Sequence, residues 1–358
     1  MILGLELPRD HFWLLTVLTG VVAFAFSAVL VPAVRKLANR LRVLDNPAQG
    51  KMHTGATPYF GGLAIGCATL IIPSLFNNWS RDAAYVGLAA IMVSVTGLVD
   101  DLKNLHPAPR LGVEVLASLL AVQGGARVSL FNNWLDVVIT VAWLVVITNS
   151  FNLMDNMDGV AATIATATSM ALLVAAVLQS QWLVAALSSG LVGACLGFLV
   201  YNWHPATIFM GDAGSLLLGF LLAVSALKLR WNTGLDNSIT AVLLLMFPAV
   251  FDTTLVIVSR TRAGRSIMVG GTDHTTHRLH RLGLPIRGVA ALLGLVTIAC
   301  STLGVLVGRG RVHPIAAVVP IAVISIALFA RLIRMPVYAM GAGRVVPPVD
   351  PATNPHPS

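Results

Sequence analysis

Apolar residues fall in long, nearly unbroken runs rather than at helical or alternating spacing. Runs near 12–34, 60–76, 83–99, 111–123, 134–150, 160–179, 182–201, 214–229, 238–259, 288–307 and 313–333 approach the roughly 20 residues that span hydrocarbon. The pattern predicts an all-α fold, a polytopic transmembrane bundle of about eleven helices. A β-barrel would alternate in polarity along each strand instead. No basic leader precedes the first run and no small-residue cleavage site follows it, so it reads as a retained helix. Glycine and β-branched residues in VQGGARVSLFNN (122–133) suggest a short hairpin on the outer face. Residues 1–340 form one membrane domain, and 341–358, rich in proline and small residues, read as a disordered cytoplasmic tail.

Composition agrees with the pattern. Only 11% of the 358 residues are charged, against about 25% in soluble domains. The net charge of +8 raises the question of nucleic acid, but the positions of the charges answer it differently. With eleven spans, sixteen of the 23 Lys and Arg lie in the odd-numbered loops and the tail. By the positive-inside rule that face is cytoplasmic, with the N-terminus out and the C-terminus in. Cys67, Cys195 and Cys300 lie inside predicted helices with no C-x-x-C pair, and read as small apolar residues.

The acids are sorted by side. Glu6, Asp10, Asp82, Asp136 and Asp236 are scattered along the outer face, whereas Asp100, Asp101, Asp155, Asp158 and Asp212 cluster on the inner one. In NSFNLMDNMDG (149–159), Asn149, Asn152 and Asn156 share a helical stripe at i, i+3 and i+7, with Asp155 beside it. Amide and carboxylate oxygens at a membrane boundary suit a hard divalent cation such as Mg²⁺. Asp100 and Asp101 are adjacent, about 100° apart around a helix, and cannot be equivalent ligands of one ion. MGDAGS places Asp212 between glycines before an apolar helix, where backbone N–H groups attract phosphate. His274, His277 and His280 alternate with Arg278 and Arg281, which favours a polyanion such as pyrophosphate over zinc. Asp252 lies well inside an apolar run and is expected to face the bundle interior, as is Glu114; Pro248, one turn before Asp252, is expected to open that helix.

Acids for a metal, a basic loop and glycine turns at one membrane boundary fit an enzyme joining a phosphate-bearing soluble donor to a lipid. At these residues the chain resembles the polyprenyl-phosphate sugar-1-phosphate transferases. The likeness rests on KMHTGATPYFGG (51–62), GLVDDLKN (97–104), NSFNLMDNMDG (149–159), FMGDAGS (209–215), FPAVFD (247–252) and DHTTHRL (273–279), in the family's order. It implies Mg²⁺, or Mn²⁺ in its place, near Asn152 and Asp212. It makes Asp100 and Asp101 candidates for positioning or deprotonating the lipid phosphate, of which the physics of an already dianionic phosphate favours positioning, with Asp155 and Asp158 holding the nucleotide or the metal shell. It implies that His274, His277 and Arg278 meet the donor pyrophosphate, and that Lys51, His53, Asn104, Asn149 and Asp252 also bind substrate. Asn156 stands where the family pattern has glycine. The histidine loop lacks the three consecutive histidines and Phe-Glu of the muramoyl-pentapeptide branch, so the resemblance is closer to the N-acetylglucosamine-1-phosphate branch.

The expected reaction is transfer of a HexNAc-1-phosphate from a UDP-N-acetylhexosamine to undecaprenyl or another polyprenyl phosphate, at the cytoplasmic face of a bacterial plasma membrane. Membrane lipids surround the chain, a homodimer is compatible with it, and nucleic acid is not a partner. The rival enzyme is the phospho-N-acetylmuramoyl-pentapeptide transferase. The rival from another class is an ion-coupled carrier, whose acids would lie near the midplane.

Overall fold

A computed structural model describes residues 12–45, 55–76, 80–268 and 270–338. Lys51, His53 and the 341–358 tail lie outside the described residues. The helices are α1 (Phe12–Leu41), α2 (Gly61–Phe76), α3 (Arg81–Lys103), α4 (Pro107–Gln123), α5 (Trp134–Met154), α6 (Val160–Leu178), α7 (Trp182–Asn202), α8 (Gly211–Lys228), α9 (Leu235–Leu245), α10 (Phe247–Arg262), α11 (Thr275–Arg281), α12 (Ile286–Gly308) and α13 (Pro314–Ile333). Two short strands, β1 (Leu44–Asp45) and β2 (Thr57–Pro58), pair antiparallel, with Leu44 opposite Pro58.

Each predicted run is helical where the pattern placed it. Among the described residues, eight helices are long and apolar enough to cross a membrane, and α9 and α10, bent by 68° at their junction, pass the same test only as a pair. The remaining two runs, α2 and α4, are shorter, at 16 and 17 residues. The protein is therefore an all-α, multi-pass membrane bundle. The break falls at Met246, just before Pro248, which brings no N–H to the helical ladder.

Residues 122–133 contain no strand, contrary to the hairpin expected there. The Asp136 carboxylate accepts the N–H groups of Leu130, Phe131 and Asn132 at 3.1, 2.9 and 2.8 Å. Thr140 Oγ1 accepts that of Val128 at 3.0 Å. Side chains from the start of α5 thus satisfy the backbone donors that a partner strand would have taken.

The buried centre of the bundle is α8, with Gly211 and nearly every residue from Ala213 to Ala226 inaccessible to solvent. Two glycines let neighbouring helices press onto its start. A Cβ on Gly97 of α3 would meet the Asp212 carbonyl oxygen at 2.3 Å, and one on Gly62 of α2 would meet Gly214 N at 2.2 Å. The close approach at Gly97 brings Asp101, one turn further along α3, against the first residues of α8.

Candidate active site

The site forms where the C-terminal ends of α3 and α5 meet the N-terminal end of α8. The two adjacent aspartates point to different partners, as their angular separation requires. Asp101 accepts the N–H of Asp212 at 2.7 Å and of Ala213 at 3.2 Å, so an acid from α3 caps the first turn of α8. Asp100 Oδ1 accepts the Leu105 N–H at 2.7 Å, and its Oδ2 pairs with Arg110 at 2.9 Å. Asn104, left-handed at φ 47, ends α3 and makes that turn.

Asn152 and Asp212 are in direct contact. Asn152 Nδ2 donates to Asp212 Oδ1 at 2.7 Å and to Ser215 Oγ at 3.0 Å. The other Asp212 oxygen lies 3.3 Å from Arg110 Nη1. Arg110 also donates to Asn149 Oδ1 at 3.1 Å and lies 3.6 Å from buried Glu114. Asn149 Nδ2 in turn donates to Glu114 Oε2. One guanidinium therefore ties together α3, α4, α5 and α8. In the sequence Arg110 is one of the sixteen basic residues assigned to the cytoplasmic face. Its i, i+4 spacing to Glu114 is the signal that could have marked it.

Beside this cluster opens a cavity of about 730 Å³, within the usual range for ligand pockets. Four aspartates line it, Asp45, Asp155, Asp158 and Asp212, with His204 and His277. Among the described residues lining it there is no lysine or arginine. Burial, and then the nearby carboxylates of Asp212, Asp101 and Asp158, push the Asp155 carboxyl up to about 7. Asp158 Oδ2 sits 2.7 Å from His204 Nδ1 and accepts the Ala206 N–H at 3.0 Å, which fixes the turn between α7 and α8. Asn202 holds the same turn from inside, accepting from Gly159 N and donating to the Ile208 carbonyl, both at 3.0 Å. Neither His204 nor Asn202 was singled out from sequence, although both lie in the polar stretch between the seventh and eighth spans.

The basic loop faces inward more than expected. Arg278 is fully buried, and its guanidinium donates to the Asp273 and Leu332 carbonyls and, at 2.8 Å, to Ser259 Oγ. Arg260 makes a two-pronged pair with the Asp273 carboxylate at 2.9 and 3.0 Å, and Tyr338 donates to the same group at 2.7 Å. Against the upward push of burial, these bonds hold Asp273 below the usual carboxylate range. His274 Nδ1 lies 2.8 Å from Asp252, which also accepts the Thr275 N–H at 2.6 Å. Arg278, His274 and Asp252 thus stand behind the cavity wall and brace the loop, and His277 is the loop histidine that lines the cavity.

The donor set suits a hard cation. Four aspartates line a cavity whose described lining carries no Lys or Arg, so an anionic ligand there needs a countercharge. Among the described residues no group of three or more His, Cys, Asp or Glu side chains is placed to hold a metal ion. Mg²⁺ typically takes one or two carboxylates and completes its shell with water and substrate phosphates, so an open set fits it.

The profile described as glycosyl transferase family 4 matches residues 83–230. The chain is 31% identical to a Bacillus subtilis protein named probable undecaprenyl-phosphate N-acetylglucosaminyl 1-phosphate transferase, over 77% of this chain and 81% of that one. It is 30% identical to a Mycobacterium leprae decaprenyl-phosphate N-acetylglucosaminephosphotransferase, over 78% and 80%. It is also 30% identical to a Bacillus mycoides phospho-N-acetylmuramoyl-pentapeptide-transferase, over a smaller share, 58% of this chain and 72% of that one. The chain belongs to glycosyl transferase family 4, among the polyprenyl-phosphate sugar-1-phosphate transferases.

Proposed function

We propose that the protein transfers N-acetylglucosamine-1-phosphate from UDP-N-acetylglucosamine to a polyprenyl phosphate at the cytoplasmic face of a bacterial plasma membrane. The observation that carries this reading is the 2.7 Å contact between Asn152 and Asp212, beside an acid-lined cavity of nucleotide-sugar size. A phosphate oxygen of the lipid attacks the β-phosphorus of the donor. The bond from that phosphorus to the bridging oxygen breaks, UMP leaves, and the lipid carries a sugar pyrophosphate.

Phosphoryl transfer asks a protein mainly for alignment and charge neutralisation. Asn152 and Asp212 would hold Mg²⁺, with Asp155 supporting its shell; when bound, the metal neutralises charge on the transferring phosphate. Asp101 fixes the first turn of α8, and so Asp212, in place. Asp100 orients Arg110 toward Asp212 and the incoming lipid phosphate. The lipid phosphate needs no general base, since a monoester with a second pKa of about 6 is largely dianionic at pH 7. Asp158 and His204 shape the wall that holds the nucleotide.

The test is UMP release by the purified protein given Mg²⁺, undecaprenyl phosphate and UDP-N-acetylglucosamine. Turnover with the muramoyl-pentapeptide donor alone would replace this reading with the other branch of the family. Substrate flux into vesicles with no UMP formed would point to a carrier.

A further inference from the structure

The Asn156 side chain is hydrogen-bonded at both its nitrogen and its oxygen. Its Nδ2 donates to the Leu153 carbonyl at 2.6 Å. Its Oδ1 lies 2.5 Å from Thr276 Oγ1. Thr276 Oγ1 in turn lies 3.2 Å from His277 Nδ1. Asn156 and His277 both line the cavity, and Thr276 is buried behind them.

The hydrogens along this chain are fixed by counting donors. A carbonyl only accepts, so the NH₂ end of Asn156 faces Leu153 and its oxygen faces Thr276. That oxygen only accepts, so the single hydroxyl hydrogen of Thr276 goes to Asn156. Toward His277 the threonine then offers a lone pair, and Nδ1 must carry the hydrogen. Burial first, and then the neighbouring His274 and Arg281, pull the His277 imidazole down to about 4, so it is neutral at pH 7 and has one N–H. Its Nε2 is therefore bare.

A bare Nε2 is an acceptor. It repels a phosphate oxygen, which at neutral pH has no hydrogen to give. Mg²⁺ prefers oxygen ligands and is a poor match for it. A nucleotide sugar does offer suitable donors, in its hydroxyls and amide N–H groups.

We propose that Asn156 and Thr276 are positioning residues that lock His277 in the Nδ1–H tautomer, so that its Nε2 accepts a hydrogen bond from a hydroxyl or amide N–H of the donor. The contact with the donor rests on the nucleotide-sugar reading above; the tautomer rests on the hydrogen-bond chain alone. It assigns His277 to reading the uncharged part of the donor instead of its pyrophosphate. It also gives Asn156 a reason to be there, since glycine at that position would leave Thr276 free to turn its hydrogen toward Nδ1.

Two measurements on the full chain in detergent test this. In the first, ¹⁵N-histidine NMR reads the tautomer, with the His277 signal assigned by its loss in His277→Gln. The expected pattern is a protonated Nδ1 and a bare Nε2 in the unmodified protein, becoming a mixture in Asn156→Gly. A protonated Nε2 in the unmodified protein overturns the proposal, whatever the enzyme's substrate proves to be. In the second, Thr276→Val should raise KM for the nucleotide sugar about 5- to 20-fold, the worth of roughly one hydrogen bond. Its kcat and KM for the lipid should stay within about twofold, and Thr276→Ser should restore the donor KM. An unchanged donor KM, or a loss confined to kcat, overturns the donor contact. Should Thr276→Val fail to fold, failure of Thr276→Ser to keep the normal donor KM does the same. Activity with no nucleotide sugar at all would sink the functional reading while leaving the NMR result to stand or fall by itself.

Discussion

Asp101 of α3 caps the N-terminal end of α8, accepting the backbone N–H of Asp212 at 2.7 Å and so setting where that second acid sits. Helix capping of this kind is worth about 0.5–2 kcal/mol, but its larger effect here is on position. Asp101→Ala should lower kcat by about 100-fold, the order expected for an ångström-scale displacement at a reacting centre. Asp101→Asn, which keeps an acceptor oxygen, should lose about tenfold. Steady-state rates at saturating donor and lipid check both. Equal losses in the two variants would mean that Asp101 acts through its charge and not as a cap.

Arg110 meets Asp100 at 2.9 Å, Asp212 at 3.3 Å and Asn149 at 3.1 Å, and only a planar fork reaches all three. Arg110→Lys should fold normally and lose 10- to 100-fold in kcat. Arg110→Ala should also destabilise the bundle, by about 3–5 kcal/mol, because it strands buried carboxylates without a partner. Thermal melting in detergent, read beside activity, separates the two effects.

Removal of divalent cations should abolish turnover, because the described lining of the cavity supplies acids and no Lys or Arg against an anionic donor. Mg²⁺ should restore it after chelation with EDTA. Asp212→Asn should raise the Mg²⁺ concentration for half-maximal rate by at least about tenfold. A Mg²⁺ titration of both proteins measures this, and activity retained in EDTA would remove the metal from the mechanism.

His277 is held at about 4 in the folded chain, against an ordinary value near 6.5. As pH falls, the unfolded chain takes up this proton first. The neutral histidine's stabilising share is complete above about pH 6.5 and is lost as pH drops through 6.5 toward 4, at up to about 1.4 kcal/mol per pH unit. His277→Gln should therefore lose less melting temperature than the unmodified protein between pH 7 and pH 5. Parallel curves would show that His277 does not titrate in that window.

Tyr338, just beyond α13, donates to Asp273 at 2.7 Å, and its ring lies 4.7 Å under the Arg265 guanidinium. Arg281 reaches the Pro336 carbonyl at 3.1 Å. The segment after the last span thus braces the loop that carries His277. Tyr338→Phe should raise donor KM a few-fold with little change in kcat. Truncation after Ile333 should raise it further, since it also removes the Pro336 carbonyl from Arg281.

The membrane class, the eleven apolar runs and the break near Pro248 were legible in the sequence because hydrocarbon imposes a one-dimensional rule: some twenty apolar residues, helical, with few charges. The acid clusters were legible for the same reason, since charge is confined to helix ends or the bundle interior. The 122–133 segment was misread because local propensity cannot show that Asp136 and Thr140 would answer its N–H groups.

What the chain alone determined, then, is which residues could carry the chemistry: Asn152, Asp155, Asp158, Asp212 and the histidine loop. Only the tertiary structure decided their division of labour. It turned Asp101 into a cap, Arg278 into a buried strut against Leu332 and Ser259, and Arg110 into the hub of four helices. Those assignments depend on hydrogen bonds between residues tens to more than a hundred positions apart. Such bonds are set by how closely glycines such as Gly97 let the helices approach, and no periodicity along the chain encodes that distance.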